Sequence, residues 1–230
     1  MTACGNLDQI LQEIENTTGT TTPAVPTQLE MSKGLKEALV KGTSMGVDKL
    51  NAAGGFLNDP KVKIPFPKDL VKVENTLRDI GLGSEVDKVV TSLNSAAEDA
   101  VIEAKPLFVK AITEMTFADA KNILFGADSA ATKYLISKTR SGLEAAFQPK
   151  ISNSLDKVNA TKYWSDVIGT YNKVPFVNKV NADLPNYVTG KAVDGLFLQI
   201  AKEEAAIRED PIERTTSLLK KVFGYADTKS

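Results

Sequence analysis

The stretch that decides the fold is residues 115–149, which read MTFADAKNILFGADSAATKYLISKTRSGLEAAFQP. Thr116 followed three residues later by Asp119 is typical of a helix start, in which each side chain bonds the backbone N–H of the other residue. The apolar residues that follow recur at helical spacing and end at Gly126, which favours a left-handed stop. Asp128 is then placed to cap a second helix. The stretch therefore predicts a tight helical hairpin on which the other helices pack.

Each helix of this predicted hairpin presents one apolar face. The first face consists of Phe117, Ala120, Ile123 and Leu124, and the second of Ala131, Tyr134, Leu135 and the stem of Lys138. Pro149 is expected to separate the second helix from the next one, because proline disrupts a helix interior. The face of that next helix is formed by Ile151, Leu155 and Val158.

Helical spacing recurs along the rest of the chain, and neither strand alternation nor a repeat of fixed period is visible. Gly42 and Gly46 share one face of the first predicted helix, which indicates a close helix approach. Residues 62–67 contain two prolines and predict an extended arm that lies on the helical body. The predicted helices outside the hairpin are 27–50, 67–80, 84–104, 107–114, 163–171, 187–207 and 218–223.

Several boundaries of these helices are predicted from cap and stop residues. Residues 81–83 read GLG and should end one helix, and Ser84 with Asp87 should start the next. Residues 174–185 are expected to be irregular, and Gly224 should close the last helix. Trp164 is the only tryptophan, and we interpret it as a packed core aromatic rather than a ligand-stacking residue.

The composition is that of a globular protein with nearly balanced charge. The 230 residues are 42% hydrophobic and 25% charged, and 28 basic against 29 acidic residues give a formal net charge of −1. No long basic run is present, so the electrostatic pattern of a nucleic-acid binder is missing. Histidine, the commonest general base and metal ligand, is absent, and a single cysteine excludes an internal disulfide. We therefore expect no metal and no other cofactor.

Cys4 follows small residues, which resembles the end of a bacterial lipobox, where the cysteine becomes acylated after cleavage. The charged and apolar regions of a signal peptide are missing, and Met1 stands where a lipobox often has leucine. Several acyl chains on Cys4 would anchor the protein stably, at roughly 0.8 kcal/mol per buried CH₂. The alternative is an unmodified cysteine near a cytosolic N-terminus.

The predicted domain organisation places one folded unit behind a tether. Residues 16–26 are rich in threonine and contain two prolines, a composition that favours a flexible linker. We assign 1–26 to the lipobox-like end and linker, 27–224 to the helical domain and 225–230 to a tail. The predicted fold is thus all-α, a single multi-helix domain of orthogonal or bundle-like packing with a flexible N-terminal tether.

Strings between residues 32 and 224 resemble a bacterial family named only as a domain of unknown function, DUF4197. They are GLKEAL at 34–39, GFLN at 55–58, IPFP at 64–67, GLG at 81–83, the hairpin at 116–147, KAVDGLF at 191–197, IREDP at 207–211 and the end at 218–224. The resemblance implies a secreted or lipid-anchored precursor, which supports acylation of Cys4 and the periplasmic side of the envelope. It implies no activity and no catalytic residues.

Without histidine, chemistry would fall to carboxylate, lysine, tyrosine or serine side chains. Asp119, Asp128 and Asp194 are candidate cation ligands or acid–base groups, although helix capping already explains the first two. Lys133 together with residues 138–140, which read KTR, is a candidate contact with anionic lipid headgroups. The alternative for these basic residues is a solvated helix face.

A second charged group lies mainly near the C-terminus, where Glu204 and Arg208 are four residues apart on a predicted helix. We interpret the group as an ion-pair network that holds the terminal helix, with a pocket for a cation or small anion as the alternative. Its members are Glu103, Lys105, Glu203, Glu204, Arg208 and Arg214.

Three functional hypotheses follow from the sequence. The first is a non-enzymatic envelope lipoprotein, bound to the membrane through Cys4, that binds an unknown protein or small molecule through grooves between its helices. The second is a histidine-independent hydrolase or divalent-metal enzyme that uses Asp and Glu. The third is a helical scaffold in the cytosol.

Overall fold

The computed structural model describes residues 25–67, 70–79, 81, 83–162, 164–165 and 183–229. Within these ranges the protein is all-α and contains no strand, so the predicted fold class is confirmed. Its elements are α1 (Gln28–Asn51), α2 (Val71–Asp79), α3 (Gly83–Val101), α4 (Ala104–Thr113), α5 (Phe117–Leu124), α6 (Ala130–Lys157), α7 (Leu184–Glu209), a 3₁₀-helix (Pro211–Glu213) and α8 (Ser217–Asp227). Side chains from these elements form one connected hydrophobic core.

Several predictions fall on residues outside the described ranges. They concern Cys4 and the linker, Ile80 at the end of the predicted 67–80 helix, and most of the predicted 163–171 helix. Most of the segment predicted to be irregular, 174–182, also lies there. Its last residues are described, and Leu184 and Pro185 already belong to α7, because Asp183 caps that helix by accepting from the Asn186 N–H at 3.0 Å.

Helix α1 begins with a reciprocal cap and packs along α7. The Thr27 hydroxyl accepts from the Glu30 N–H at 3.2 Å, and the Glu30 carboxylate accepts from the Thr27 N–H at 2.8 Å. Gly42 and Gly46 are both buried against α7, as their shared face predicted. A Cβ atom at Gly46 would lie 3.6 Å from the side chains of Gln199 and Ile200, which is van der Waals contact, so only a side chain longer than that of alanine would push the helices apart.

Gly34 lies where α1 meets α8, and this contact supports a stability prediction. A Cβ atom there would lie 2.8 Å from Cγ2 of Val222, which is closer than van der Waals contact allows. We expect Gly34→Ala to lower the free energy of unfolding by about 1–3 kcal/mol despite the higher helix propensity of alanine. Val222→Ala in the same chain should recover part of this loss, because it removes the methyl group that clashes. Urea denaturation of both single variants and the double variant would measure the coupling, and a coupling energy near zero would contradict the prediction.

The predicted hairpin is present as α5 and α6, although two of its predicted boundaries are wrong. The Thr116–Asp119 cap is confirmed, with bonds of 3.1 Å and 3.0 Å between the two residues. Gly126 is not left-handed, and it is instead required because a Cβ atom would approach the Asn122 carbonyl oxygen to 2.4 Å. Asp128 is exposed and does not cap α6, which begins at Ala130 without a side-chain cap from its own N-cap residue.

Helix α6 continues through Pro149, contrary to the predicted break. Pro149 lies on the exposed side, so the helix gives up one backbone donor there without disturbing its buried residues. These recur at every fourth position as Ala131, Leu135, Thr139, Leu143, Phe147, Ile151 and Leu155. Each step of four residues advances about 40° around the axis. The stripe therefore winds around α6 and brings it into contact with α3, α4, α5 and α7.

The predicted buried faces of the hairpin hold for most positions. Ala120, Ile123 and Leu124 of α5 are buried, and Phe117 is half-buried. In α6 Tyr134 is half-buried and Lys138 is exposed. Of the predicted buried face at 151–158, Ile151 and Leu155 are buried. Val158 is 52% exposed, because it follows the last helical residue.

The junction of α2 and α3 confirms one predicted boundary and corrects another. Helix α2 ends at Asp79, just before the GLG stretch that was predicted to end it, and Gly81 has a left-handed φ of +89°. Ser84 does not cap α3, because the helix already begins at Gly83 and the Ser84 hydroxyl donates to Glu85 at 2.8 Å. Asp87, its predicted partner, instead pairs with Arg78 of α2 at 2.9 Å.

A buried carboxylate of α3 holds the loop that follows α1. Glu98, only 9% exposed, accepts from the backbone N–H groups of Gly54, Phe56 and Leu57 at 3.2, 3.1 and 3.4 Å. Gly54 has a φ of +79°, and a Cβ atom at Gly55 would lie 2.4 Å from the Lys49 carbonyl oxygen. The paired glycines are therefore required for the chain to curl around this carboxylate.

The extended arm at 62–67 lies on the helical body, as predicted. Its residues Val62, Ile64 and Phe66 are at most 6% exposed. Asn94 of α3 fixes the arm by accepting from the Ile64 N–H at 2.8 Å and donating to the Ile64 carbonyl at 2.9 Å. A buried amide thus supplies the partners that a neighbouring strand would supply in a sheet.

Tyr187 of α7 also contacts the arm, and its titration can be tested. Its hydroxyl donates to the Pro65 carbonyl oxygen at 3.0 Å, and burial raises the pKa of Tyr187 to about 12. The phenol of an unfolded chain ionises near pH 10. The unfolded state therefore loses this proton first, so the contribution of Tyr187 to stability is lost as pH rises from about 10 to 12. In an absorbance titration of the folded protein, Tyr187→Phe should remove a late-ionising tyrosine; an unchanged late phase would contradict this.

The last helix extends further than the sequence predicted. Thr216 caps α8 by accepting from the Leu219 N–H at 3.2 Å. Gly224 does not close the helix, which continues to Asp227. Asp227 is needed at that end because it pairs with Arg214 at 2.6 Å.

Candidate functional site

Glu204 and Arg208 form a buried ion pair on successive turns of α7. Their side chains are 6% and 14% exposed, and the two charged groups lie 3.0 Å apart. Thus the pair forms part of the core rather than of a solvated surface. Its remaining hydrogen bonds reach both helices of the hairpin.

The Glu204 carboxylate caps α6 from outside that helix. It accepts from the N–H groups of Ala131 and Thr132 at 3.0 and 2.8 Å, and from the Thr132 hydroxyl at 2.7 Å. These N–H groups belong to the first turn of α6, where backbone donors lack partners and the helix dipole favours a negative charge. Glu204 therefore performs the role that the sequence assigned to Asp128.

Arg208 acts in the same way at the end of α5. Its guanidinium donates to the carbonyl oxygens of Ile123 and Leu124 at 2.8 and 3.5 Å. Carbonyl groups in the last turn of a helix lack partners and favour a positive charge. We call Glu204 and Arg208 the hairpin clamp, because together they satisfy both helix ends that flank the hairpin turn.

Arg214 extends the network to the C-terminus. Only 3% exposed, it donates to the carbonyl oxygens of Ile207 and Arg208 at 3.1 and 2.6 Å and pairs with Asp227 at 2.6 Å. The guanidinium thus joins the end of α7 to the end of α8. Arg214 is therefore the member of the predicted group that contacts the terminal helix.

Glu203, next to Glu204 on α7, has different partners. It pairs with Lys49 at 2.7 Å and accepts from the Gln199 amide at 2.6 Å. Between Glu203, the hairpin clamp and α1 lies a cavity of about 30 Å³. A cavity of this size holds a water molecule or two rather than an organic ligand.

The other predicted site residues do not join this cluster. Glu103 pairs with Lys150 at 2.9 Å, and Asp194 pairs with Arg140 at 2.7 Å. Their partners and Ala131 are spaced along α6 by roughly 14 and 15 Å at the helical rise. Lys105 pairs with Asp48 at 2.6 Å. Among the residues that the structure describes, no group of three or more Cys, Asp or Glu is arranged to hold a metal ion.

Asp119 lies in a different place, a cleft between α4, the start of α5 and α6. We call it the polar cleft; it encloses about 420 Å³ and is lined by Leu107, Lys110, Glu114, Asp119, Tyr134, Lys138 and Gly142, among others. Only Asp119 and Lys138 were nominated from the sequence. The rest were missed, although Tyr134, Lys138 and Gly142 share one face of α6 at spacings of four residues.

Charges are distributed unevenly in the polar cleft. The hydroxyl and backbone of Thr116 hold the pKa of Asp119 below its usual value, so this carboxyl group stays ionised. Burial, with Asp119 and Glu114 nearby, raises the pKa of Tyr134. The end of the cleft near the α4–α5 turn is therefore acidic, whereas Lys110 and Lys138 bring positive charge to its middle.

The basic stretch at 138–140 presents fewer free charges than its sequence suggested. Thr139 is buried and bonds the Leu135 carbonyl, while Arg140 is bound by Asp194 and Glu144. Lys133 and Lys138 are exposed. Any contact with lipid headgroups would consequently depend on these two lysines.

An apolar groove of about 460 Å³ lies between α2, α3 and Trp164. Trp164 is 5% exposed, and its ring meets Phe66 edge-on with centroids 5.3 Å apart. The tryptophan is thus packed into the core, as predicted. The groove is bordered by Glu85 and Lys88.

The comparisons with known proteins give a family and nothing finer. No helix in the described ranges combines the length and hydropathy needed to cross a bilayer. No curated protein and no solved structure matches the chain. The sequence model of DUF4197, described as a protein of unknown function, matches residues 25–224, which is most of the chain and includes the hairpin, the clamp and the polar cleft. The chain therefore belongs to the DUF4197 family.

Proposed function

We propose that this protein is a non-enzymatic binding module of the bacterial envelope, which receives a small polar ligand in the polar cleft. The observation that carries the proposal is the cleft itself. Its volume of about 420 Å³ falls in the range of small-molecule sites. Acidic and basic side chains and a half-buried tyrosine line the cleft. These groups can orient a bound ligand as well as attract it.

The state of the buried acids supports binding rather than catalysis. Glu98 and Glu204 each accept from several backbone N–H groups, and Glu203 is paired with Lys49. A carboxylate held in this way stabilises the fold, because its removal would leave buried backbone donors without an acceptor. These acids therefore serve the structure.

We further propose that the protein is anchored on the periplasmic side of the envelope through acylated Cys4. The small residues before Cys4, which resemble the end of a lipobox, support this location. Mass spectrometry of the natural precursor expressed in a bacterial host should find acyl chains on Cys4, and Cys4→Ser should abolish them and release the protein from membranes. Unmodified Cys4 in that host would overturn the anchor without affecting the cleft.

Ligand binding can be tested by blocking the cleft. Thermal unfolding of the full chain would be followed against a panel of amino acids, organic acids and phosphate esters. We expect at least one class to raise the Tm of the native protein. Gly142→Leu should abolish the shift, because Gly142 faces Leu107 across the cleft and leucine would fill that space.

The matched control for this experiment is Gly224→Leu on α8, where an added Cβ atom meets nothing within 4 Å. This variant should keep the ligand-induced shift. A panel without any shift, or a shift that survives in Gly142→Leu, would contradict binding in the polar cleft.

A further inference from the structure

The polar cleft changes character along its length. Helices α4 and α6 run antiparallel there, since Gly142 faces Leu107 at one end and the Tyr134 hydroxyl donates to the Ala111 carbonyl at 3.3 Å towards the other. The end at Leu107 and Gly142 is apolar. The opposite end, by the α4–α5 turn, holds Glu114 and Asp119 beside Tyr134.

Two lysines lie between these ends, one on each wall. Lys110 follows Leu107 on α4, and Lys138 lies midway between Gly142 and Tyr134 on α6. Neither forms an ion pair with a described residue. Lys138 lies over the Tyr134 ring, 5.8 Å from its centroid, and its charge helps to lower the pKa of Asp119. Two ammonium groups on facing walls favour an anion with several oxygens, such as phosphate.

The acidic end keeps acceptor capacity for a cation. Oδ2 of Asp119 accepts both bonds from Thr116, at 3.0 and 2.7 Å, while Oδ1 accepts none within the described ranges. The Glu114 carboxylate is not hydrogen-bonded to any described residue either. The Tyr134 hydroxyl, already a donor, retains its lone pairs. A primary ammonium group matches this set, because it can donate to all three acceptors.

The spacing of the two charged zones selects among zwitterions. Glu114 is four residues from Lys110, and Tyr134 is four residues from Lys138, so the backbone positions that carry the two zones lie roughly 6 Å apart. The P–O–C–C–N chain of phosphoethanolamine separates its charges further than the short C–C–N chain of an α-amino acid does. The longer zwitterion therefore fits better.

We propose that the polar cleft binds a phosphoethanolamine group, with the phosphate between Lys110 and Lys138 and the ammonium between Glu114 and Tyr134. The proposal rests on the proposed function, since it names the ligand of the same cleft. The group belongs to either a lipid headgroup or a soluble ester, and the apolar end at Leu107 would receive whatever continues from the phosphate.

Three soluble probes test the assignment by calorimetric titration of the full chain carrying Cys4→Ser. Glycerophosphoethanolamine should bind about tenfold more tightly than glycerophosphocholine or glycerol phosphate, because only the primary ammonium can donate hydrogen bonds to the acidic end. Glu114→Gln should reduce its affinity to that of glycerol phosphate. Lys110→Gln should weaken all three probes, and Lys133→Gln, outside the cleft, should change none.

The outcomes separate this inference from the proposed function. Equal binding of the three probes would indicate a plain anion site and overturn the phosphoethanolamine assignment. The assignment would also be overturned if none of the three probes bound while another class of compound from the thermal-unfolding panel bound in the cleft. If no compound of the panel bound, both the assignment and the proposed function would be overturned.

Vesicles identify the source of the group. Sedimentation of the same Cys4→Ser chain with phosphatidylcholine vesicles, with and without phosphatidylethanolamine, tests the lipid. Selective binding to the vesicles that contain phosphatidylethanolamine supports a headgroup ligand if Glu114→Gln abolishes it. Binding of glycerophosphoethanolamine without selective vesicle binding supports a soluble ester. If the protein bound neither glycerophosphoethanolamine nor the phosphatidylethanolamine vesicles, the inference would be overturned.

Discussion

Replacing Glu204 by alanine should lower the free energy of unfolding by about 3–5 kcal/mol, the largest loss expected of any single substitution considered. The variant leaves Arg208 buried with an unpaired charge and leaves the N–H groups of Ala131 and Thr132 without their acceptor. Glu204→Gln should lose less, because it retains one oxygen acceptor. Chemical denaturation followed by circular dichroism would measure these differences.

The control for this experiment is Glu209→Ala, an exposed acid on the same helix. It should change the free energy of unfolding by less than about 0.5 kcal/mol. If Glu204→Ala were as mild as Glu209→Ala, the hairpin would not depend on the clamp, and our account of the core would fail. Amide exchange would localise the loss to the first turn of α6.

The second large effect is expected at Glu98, where alanine should cost about 3 kcal/mol. The backbone N–H groups of Gly54, Phe56 and Leu57 would lose their common acceptor, and the loop after α1 would loosen. Glu98→Gln should lower the free energy of unfolding by less than Glu98→Ala does. Its amide oxygen can still accept a bond, but its amide nitrogen would face one of these donors and cannot accept from it.

Asp99→Ala provides the neighbouring control, since Asp99 is exposed and accepts one bond, from the Ser154 hydroxyl at 2.9 Å. We expect a change below about 0.5 kcal/mol for this variant. Native-state hydrogen exchange should show faster exchange at the loop amides in Glu98→Ala and not in Asp99→Ala. Equal exchange in the two variants would contradict a structural role for Glu98.

Local signals were sufficient where both partners lie within a few residues of each other. The cap at Thr116 and the helix end before Gly81 depend only on nearby backbone, so a short stretch of sequence predicted them. Helix faces could also be predicted, because their period reports which side is buried. The break predicted at Pro149 is wrong because the effect of a proline depends on whether it faces solvent, which a local pattern does not reveal.

Distant partners explain the boundaries that the sequence predicted wrongly. Asp128 is a plausible cap by position, yet the donors it would satisfy are taken by Glu204, 72 and 73 residues further along the chain. Glu98 reaches back more than 40 residues to the loop after α1. Such buried charges break the apolar faces of α3 and α7. Glu204 and Arg208 on α7 were nominated from the sequence without their distant partners, whereas Glu98 on α3 was missed.

Only part of the polar cleft could be predicted from the sequence. Asp119 and Lys138 were nominated for their charge, but their convergence requires the antiparallel contact of α4 with α6. Gly142 matters because a missing side chain leaves space across from Leu107, and such a space becomes visible only once the facing helix is known. Charge alone therefore identified two residues of the cleft, and the others could be identified only from the packing of α4 against α6.

The capping of α6 by a carboxylate of α7 has a consequence for biosynthesis. Glu204 and Arg208 follow α5 and α6 in the chain, so a chain that emerges from its N-terminus has the turn between those two helices with open ends until α7 is available. Completion of the fold is thus postponed until almost the whole polypeptide has emerged. Copies that terminate early keep this unfinished turn and are correspondingly exposed to proteolysis.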